Sequence, residues 1–234
     1  MSCSTVKLTV MCSASGTNLQ ALIDAVAAGS IPNASIIKVV VNRKTAYAAK
    51  RAEQAGIPAE YFNLVNGRYH KAGEKDEAVL KTARAKYDAD LAQRVLKDSP
   101  DMVVLAGWMH VFSEPFLKPL DAAGIPVINL HPALPGKYDG ANAIQRAHED
   151  FQAGRLENNK TGCMIHYVIA EVDRGEPILV EEVECREGET LEGLENRIHA
   201  VEHRIIVKAT AQVATRLAAT KTGRGRLEAK KRDN

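Results

Sequence analysis

The sequence predicts an α/β protein: doubly wound, with a Rossmann-like, mostly parallel sheet, an antiparallel C-terminal strand pair and a long C-terminal helix. Three observations carry this. Short apolar runs recur at Lys7–Cys12, Ile36–Val41, Met102–Ala106 and up to Asn129, each continuous enough for a strand covered on both faces. Stretches with helical spacing separate them. Finally, Thr161–Val168 alternates Cys163, Ile165 and Tyr167 against Met164, His166 and Val168, a β period.

Lys7–Cys12 is the first strand, Ser13–Asn18 a small-residue turn, and Leu19, Leu22, Ile23 and Val26 mark a helix. That order points backbone N–H groups at an anion, and Gly16 permits close approach. The loop is neither GxGxxG nor a Walker loop, so dinucleotide and ATP binding are not supported. A plain strand-to-helix turn accounts for it equally well. Ile36–Val41 is the second strand. Ala46–Gln54 is a helix that Gly56-Ile57-Pro58 ends, and a short strand follows near Glu60–Phe62. Asn63–Glu77 is polar and expected to be a mobile loop. Lys75–Lys97 carries Val79, Ala83, Tyr87, Leu91 and Val95 at helical spacing. After the strand Met102–Ala106, a short helix lies between Phe112 and Leu120. The next strand is expected to end at Asn129, and Ala141–Phe151 is a helix. Ile178–Val183 is a further strand. Thr190 caps a long helix whose stripe runs from Leu191 through Ile198, Ile205 and Val213 to Leu217.

Apolar residues make up 45% of the 234, enough for a sizeable core, and no apolar run reaches the roughly 20 residues of a membrane span. The start of the chain does not read as a secretory signal. Cys3, Cys12, Cys163 and Cys185 form no CxxC pair, which suits a reducing compartment, and a cytoplasmic location is expected. One domain over residues 1–219 is expected, with 1–125 the phosphate-binding half and 126–219 the catalytic half. Residues 220–234 form a basic tail expected to be disordered. There is no broad basic face of the kind nucleic-acid binders use, and the seven histidines are scattered; His199 and His203 stand four apart on one helix, but HAVEH is not the HExxH of a zinc site.

Chemistry concentrates in Val127–Gly140 (VINLHPALPGKYDG), where polar residues follow an apolar run. Asn129 offers an N–H donor to a developing oxyanion, His131 a proton shuttle, and Asp173 an acidic partner in a Gly/Pro turn. Turn capping and loop packing explain the same residues, and spacing alone leaves both readings open. Arg197 and Glu202 lie beside the apolar stripe of the last helix, available to a ligand or to an ordinary exposed face. Trp108 and Phe112 suit either a flat ring's pocket or the core.

Four motifs, SASGTNLQALID, VVLAGWM, NLHPALPGKYDG and GCMIHYVIAEVDRGEPIL, together resemble the phosphoribosylglycinamide formyltransferase family in its monofunctional, fungal-type form, from about Val6 to Leu217. The resemblance implies formyl transfer from the co-substrate 10-formyltetrahydrofolate to glycinamide ribonucleotide in purine biosynthesis. It implies small-molecule substrates and no metal, nucleic acid or membrane. Ser15, Gly16, Thr17 and Asn18 would hold the phosphate. Met109 and Glu202, with Arg197 nearby, would bind the rest of that substrate. His110, Val111, Phe112, Leu134, Val168, Ile169, Ala170 and Glu171 would surround the folate. Asn129, His131 and Asp173 would be catalytic, with protonated His131 beside the oxyanion and Asp173 keeping it charged. The sequence departs from bacterial members at His110, where they carry arginine, and at LPGKYDG, where they carry LLPKYPG. Other folate formyltransferases, a formyltetrahydrofolate hydrolase, and a non-enzymatic binding protein using the basic tail are the alternatives.

Overall fold

A computed structural model describes residues 5–232, with side chains described through residue 222. The strands are β1 (Val6–Cys12), β2 (Ala34–Val41), β3 (Ala59–Tyr61), β4 (Met102–Leu105), β5 (Val127–His131), β6 (Lys160–Tyr167) and β7 (Pro177–Glu184). They form one sheet in the order β3-β2-β1-β4-β5-β6-β7. The first five run parallel, and β6 is antiparallel to both β5 and β7. The α-helices are α1 (Thr17–Ala27), α2 (Ala48–Gln54), α3 (Glu77–Lys97), α4 (Glu114–Ala122), α5 (Ala143–Gln152) and α6 (Leu191–Arg232).

Alternation along β1 divides the core into two layers. Val6, Leu8, Val10 and Cys12 face one cluster with Leu19 and Leu22 of α1 and Ile198, Ile205 and Ile206 of α6. Met11 faces the other, with Tyr87 and Leu91 of α3 and Phe116 and Leu120 of α4. Both faces of the parallel strands are covered, which explains their continuous apolar character. Cys12, Cys163 and Cys185 are buried free thiols, and burial pushes Cys12 up to about 12, so it behaves as a small apolar side chain. Cys3 lies outside the described residues.

The site edge follows from topology. β2 and β4 flank β1 on opposite sides, so the connections leaving β1 and β4 diverge at their carboxyl ends and open a crevice. Ser13 ties the two exits together: its N–H donates to the Gly107 carbonyl at 2.9 Å, and its Oγ accepts from Met109 N–H at 2.7 Å.

Two expectations change. β5 runs on past Asn129 to His131, because antiparallel pairing with β6 extends it: Asn129 lies opposite His166 and His131 opposite Met164. The last helix does not stop near Ala219. Its backbone continues to Arg232, and the stretch expected to be a disordered tail is helical there. Lys, Arg, Ala and Glu are good helix formers without an apolar stripe. Lys221 also docks the extension, donating to Asp101 Oδ2 at 2.6 Å, an oxygen that accepts from Lys7 N–H at 2.7 Å. The start of α6 is as expected, with Thr190 Oγ1 accepting from Gly193 N–H at 3.1 Å. Among the described residues no helix is long and apolar enough to cross a membrane.

Because α6 seals one face of the sheet, Ile205→Ala, at a fully buried position, is expected to cost about 2–5 kcal/mol. Urea unfolding followed by far-UV circular dichroism measures it.

Candidate active site at the carboxyl edge of the sheet

A cavity of about 420 Å³ opens at this edge. The loop after β4 (Gly107–Phe112), Asn129 to Pro132 and Val168 to Asp173 wall it, and Asn18 of α1 and His199 and Glu202 of α6 line it as well.

Its polar end is built by strand register. Asn129 and His131 are two apart on β5 and share a face. His166 of β6 pairs directly with Asn129 and projects to that face too. Asp173 reaches back from the turn after β6. Its Oδ1 accepts from Asn129 Nδ2 at 3.3 Å and lies 3.4 Å from His166 Nε2. Its Oδ2 accepts from Gly140 N–H at 2.8 Å and lies 3.4 Å from His131 Nδ1. His166 Nδ1 is 2.9 Å from the Tyr167 carbonyl, which places that ring proton on Nδ1 and leaves Nε2 to accept from Asn129 Nδ2 at 3.2 Å. Asp173 holds a left-handed φ of 55°, and the turn is tight: a Cβ on Gly175 would lie 1.6 Å from the Tyr167 carbonyl oxygen.

The electrostatics differ from the expectation of a charged histidine. Burial, the largest influence, holds the His131 imidazole below its ordinary value, against the opposing pull of Asp173 and the Lys137 carbonyl. The ring is therefore predominantly neutral at pH 7. Asp173 is pushed up most strongly by burial. The His166 imidazole beside it, the Gly140 N–H and the His131 imidazole outweigh that, and its carboxyl sits below the usual range.

The far end belongs to Asn18 and Glu202. Asn18 Nδ2 donates to Glu202 Oε2 at 3.1 Å, and Asn18 Oδ1 is buried without a partner among the described residues. Burial pushes the Glu202 carboxyl up, while the Asn18 bond and His199 pull it down; the net direction is up. Gly16, with φ 72°, precedes α1, and a Cβ there would meet Ala48 Cβ at 2.7 Å, so the loop accepts no side chain. No acidic residue stands in the first turn of α1, and its leading N–H groups stay open to an anion.

Most of the sequence-predicted residues meet here, and some do not. His110, Val111, Phe112, Met109 and Val168 to Glu171 line the cavity. Met109 and Val111 are exposed on it, while Phe112 also stacks on Phe116 in the core. His110 is tied from behind, its Nε2 2.6 Å from the fully buried Asp88, which also accepts from Ser113. Ser15, Gly16 and Thr17 precede the lining residue Asn18 without lining the cavity themselves. Leu134 lies elsewhere. The chain turns after β5, Lys137 N–H closing on the Leu134 carbonyl, and Leu134 lines a separate cavity with Tyr138 and Thr161 over Gly162. Arg197 is also elsewhere, bonded through Nε to Glu189 at 2.7 Å and through Nη2 to the Glu184 carbonyl. Five residues along a helix place it about 140° around from Glu202. Sequence reading missed His166, Gly140 and Asp88 as parts of the site. The β period around His166 was visible, but its partner across the sheet was not.

Residues 6–210 match the family model described as Formyl transferase. The chain is 46% identical over 209 residues to phosphoribosylglycinamide formyltransferase of Schizosaccharomyces pombe, covering 89% of this chain and 97% of that one. It is 42% identical over 218 residues to the protein of the same name from Saccharomyces cerevisiae, covering 90% and 98%. Among solved structures, glycinamide ribonucleotide transformylase 1 from Symbiobacterium toebii superposes with a TM-score of 0.73 at 32% identity, covering 90% of this chain and 88% of that one.

The raised Glu202 carboxyl gives a stability prediction with a definite sign. A group raised in the folded state adds stability below its unfolded value of 4.5 and loses it as pH rises. Glu202→Gln keeps an acceptor for Asn18 without the buried charge. Its urea midpoint is expected to exceed that of the parent at pH 7–8, with the difference vanishing below pH 4.5.

Proposed function

The chain belongs to the formyl transferase family, and from that premise we propose that it moves the formyl group of 10-formyltetrahydrofolate to the amino group of phosphoribosylglycinamide, giving the formylated ribonucleotide and tetrahydrofolate. The observation that carries the reading is the convergence of Asn129, His131, His166 and Asp173 at one end of a cavity whose other end is Asn18 and Glu202. A two-substrate transfer needs that layout: an anion-tolerant polar end for a ribonucleotide, a reactive corner, and an apolar wall for a flat ring.

The phosphate fits the open N–H groups of α1 beside Ser15, Gly16, Thr17 and Asn18. Glu202 and the unpartnered Asn18 Oδ1 suit hydroxyl and N–H groups of the same substrate. Met109, His110, Val111, Phe112 and Val168 to Glu171 form the wall for the folate.

The substrate amine attacks the formyl carbon, and the carbonyl oxygen gains negative charge. Asn129 Nδ2 turns to that oxygen; its present bonds, at 3.2 and 3.3 Å, are long and readily exchanged. His131 starts neutral with its N–H on the Nδ1 side facing Asp173, so Nε2 takes the proton that the attacking amine loses. The imidazolium then finds acceptors at both nitrogens, Asp173 at 3.4 Å and the Lys137 carbonyl at 3.4 Å, and stabilises the oxyanion beside it. As the bond from formyl carbon to folate nitrogen breaks, the same proton goes to that nitrogen. The step closes with no covalent enzyme intermediate.

Asn129→Ala and Asp173→Ala are each expected to fold and to lose about 10²–10³-fold in kcat. A spectrophotometric assay with 10-formyltetrahydrofolate and phosphoribosylglycinamide measures this. Near-normal turnover by either purified variant overturns the assignment, and release of formate to water without substrate formylation points instead to a hydrolase.

A further inference from the structure

We propose, resting on the formyl-transfer reading above, that Arg174 and Asp139 form a latch that positions the Asp173 carboxylate against His131. Arg174 Nε donates to Asp139 Oδ2 at 2.8 Å, and its Nη2 reaches the same oxygen at 2.6 Å. One residue along each strand of the turn, Gly140 N–H donates to Asp173 Oδ2 at 2.8 Å. Residues 139–140 and 173–174 are thus cross-linked twice, side chain to side chain and backbone to carboxylate.

The cross-links join two turns of left-handed backbone. Asp173 and Gly140 have left-handed φ values of 55° and 81°. From beneath, Arg146 of α5 donates to the Asp139 carbonyl at 2.8 Å and to the Tyr138 carbonyl, and Tyr138 Oη donates to Asp150 at 2.8 Å. These bonds fix the loop to α5 but do not join it to the turn of Asp173. Gly136 makes room for the latch: a Cβ there would lie 3.3 Å from the Arg174 guanidinium. Arg146 holds the carbonyl side of the Asp139–Gly140 peptide to α5, and Arg174 draws the Asp139 side chain toward the turn; without Arg174 the peptide is fastened to α5 alone, and the Gly140 N–H is no longer held against the Asp173 oxygen that faces His131.

A bare field effect is the competing explanation, and the two differ in sign. Asp173 faces His131 from β5 and His166 from β6. Asp139, Arg174 and Glu171 lie on the neighbouring loops, and His199 and Glu202 line the cavity from α6. If only charge mattered, removing Asp139 would lower the midpoint of Asp173 and removing Arg174 would raise it. If the latch positions Gly140, both removals cost Asp173 an N–H bond that favours its charged form, and both raise the midpoint.

The test is a side-chain carboxyl 13C titration of Asp173 in the ligand-free full chain, with Arg174→Ala, Asp139→Ala and Arg174→Lys, alongside kcat and KM. Upward midpoint shifts in both alanine variants are expected, with a smaller one in Arg174→Lys, which keeps the charge without the planar fork. A fall in kcat of about ten- to a hundredfold is expected, with KM for both substrates changed far less. Shifts of opposite sign, or no shift in Asp139→Ala, overturn the latch. Failure of the unaltered protein to formylate phosphoribosylglycinamide overturns the functional reading instead, and the titration still judges the latch.

Discussion

The antiparallel pairing of β6 with β5 is the constraint on which the site depends. It sets Asn129 opposite His166 and extends β5 far enough for His131 to share their face. A slip of one residue would turn His166 to the opposite face of the sheet, among Cys163 and Ile165. The strands beyond β5 therefore do more than close the sheet edge. They supply an imidazole and launch the turn that carries Asp173. Parallel strands alone would have left the polar end of β5 facing only its own loop.

Around that register burial and hydrogen bonding shift the ionisable groups of the site in different directions. His131 stays neutral because burial outweighs the nearby carboxylate. Asp173 stays charged because hydrogen bonds and imidazoles outweigh its burial. Two groups with van der Waals proximity and opposed environments divide the work of proton uptake and charge compensation. Glu202, at the other end, is the reverse case: a buried carboxyl with an amide donor and no cation within bonding distance among the described residues. Burial disfavours the charged forms of His131 and Glu202, whereas the bonds around Asp173 favour its carboxylate, and all three line the cavity.

The segment between β5 and α5 shows how a surface loop becomes part of this chemistry. Its Lys137 carbonyl faces one nitrogen of His131, and its Gly140 N–H holds the carboxylate facing the other. The residues Gly136, Lys137, Tyr138, Asp139 and Gly140, in the LPGKYDG stretch that departs from the bacterial pattern, are thus engaged from several sides.

The sequence by itself determined the sheet and most of its helices, because those depend on local periodicity: β1, β2, β4, α1 and the stripe of α6 all follow from apolar spacing. It also marked Asn129, His131 and Asp173 as chemistry-bearing types in turn-rich context, though spacing alone favoured a structural role slightly, and their catalytic use came from resemblance. Contacts between distant segments only the tertiary structure decided. His166 joined the site through register across the sheet, Asp88 through the packing of α3 behind the loop after β4, and Gly140 through a turn that meets Asp173. For the same reason Leu134 and Arg197 proved to lie elsewhere: a loop's direction after a strand and a residue's angle around a helix are set by what packs against them. The neutrality of His131 is the clearest case. Sequence names an imidazole and a carboxylate, but which of burial and charge prevails depends on how deeply the fold encloses both.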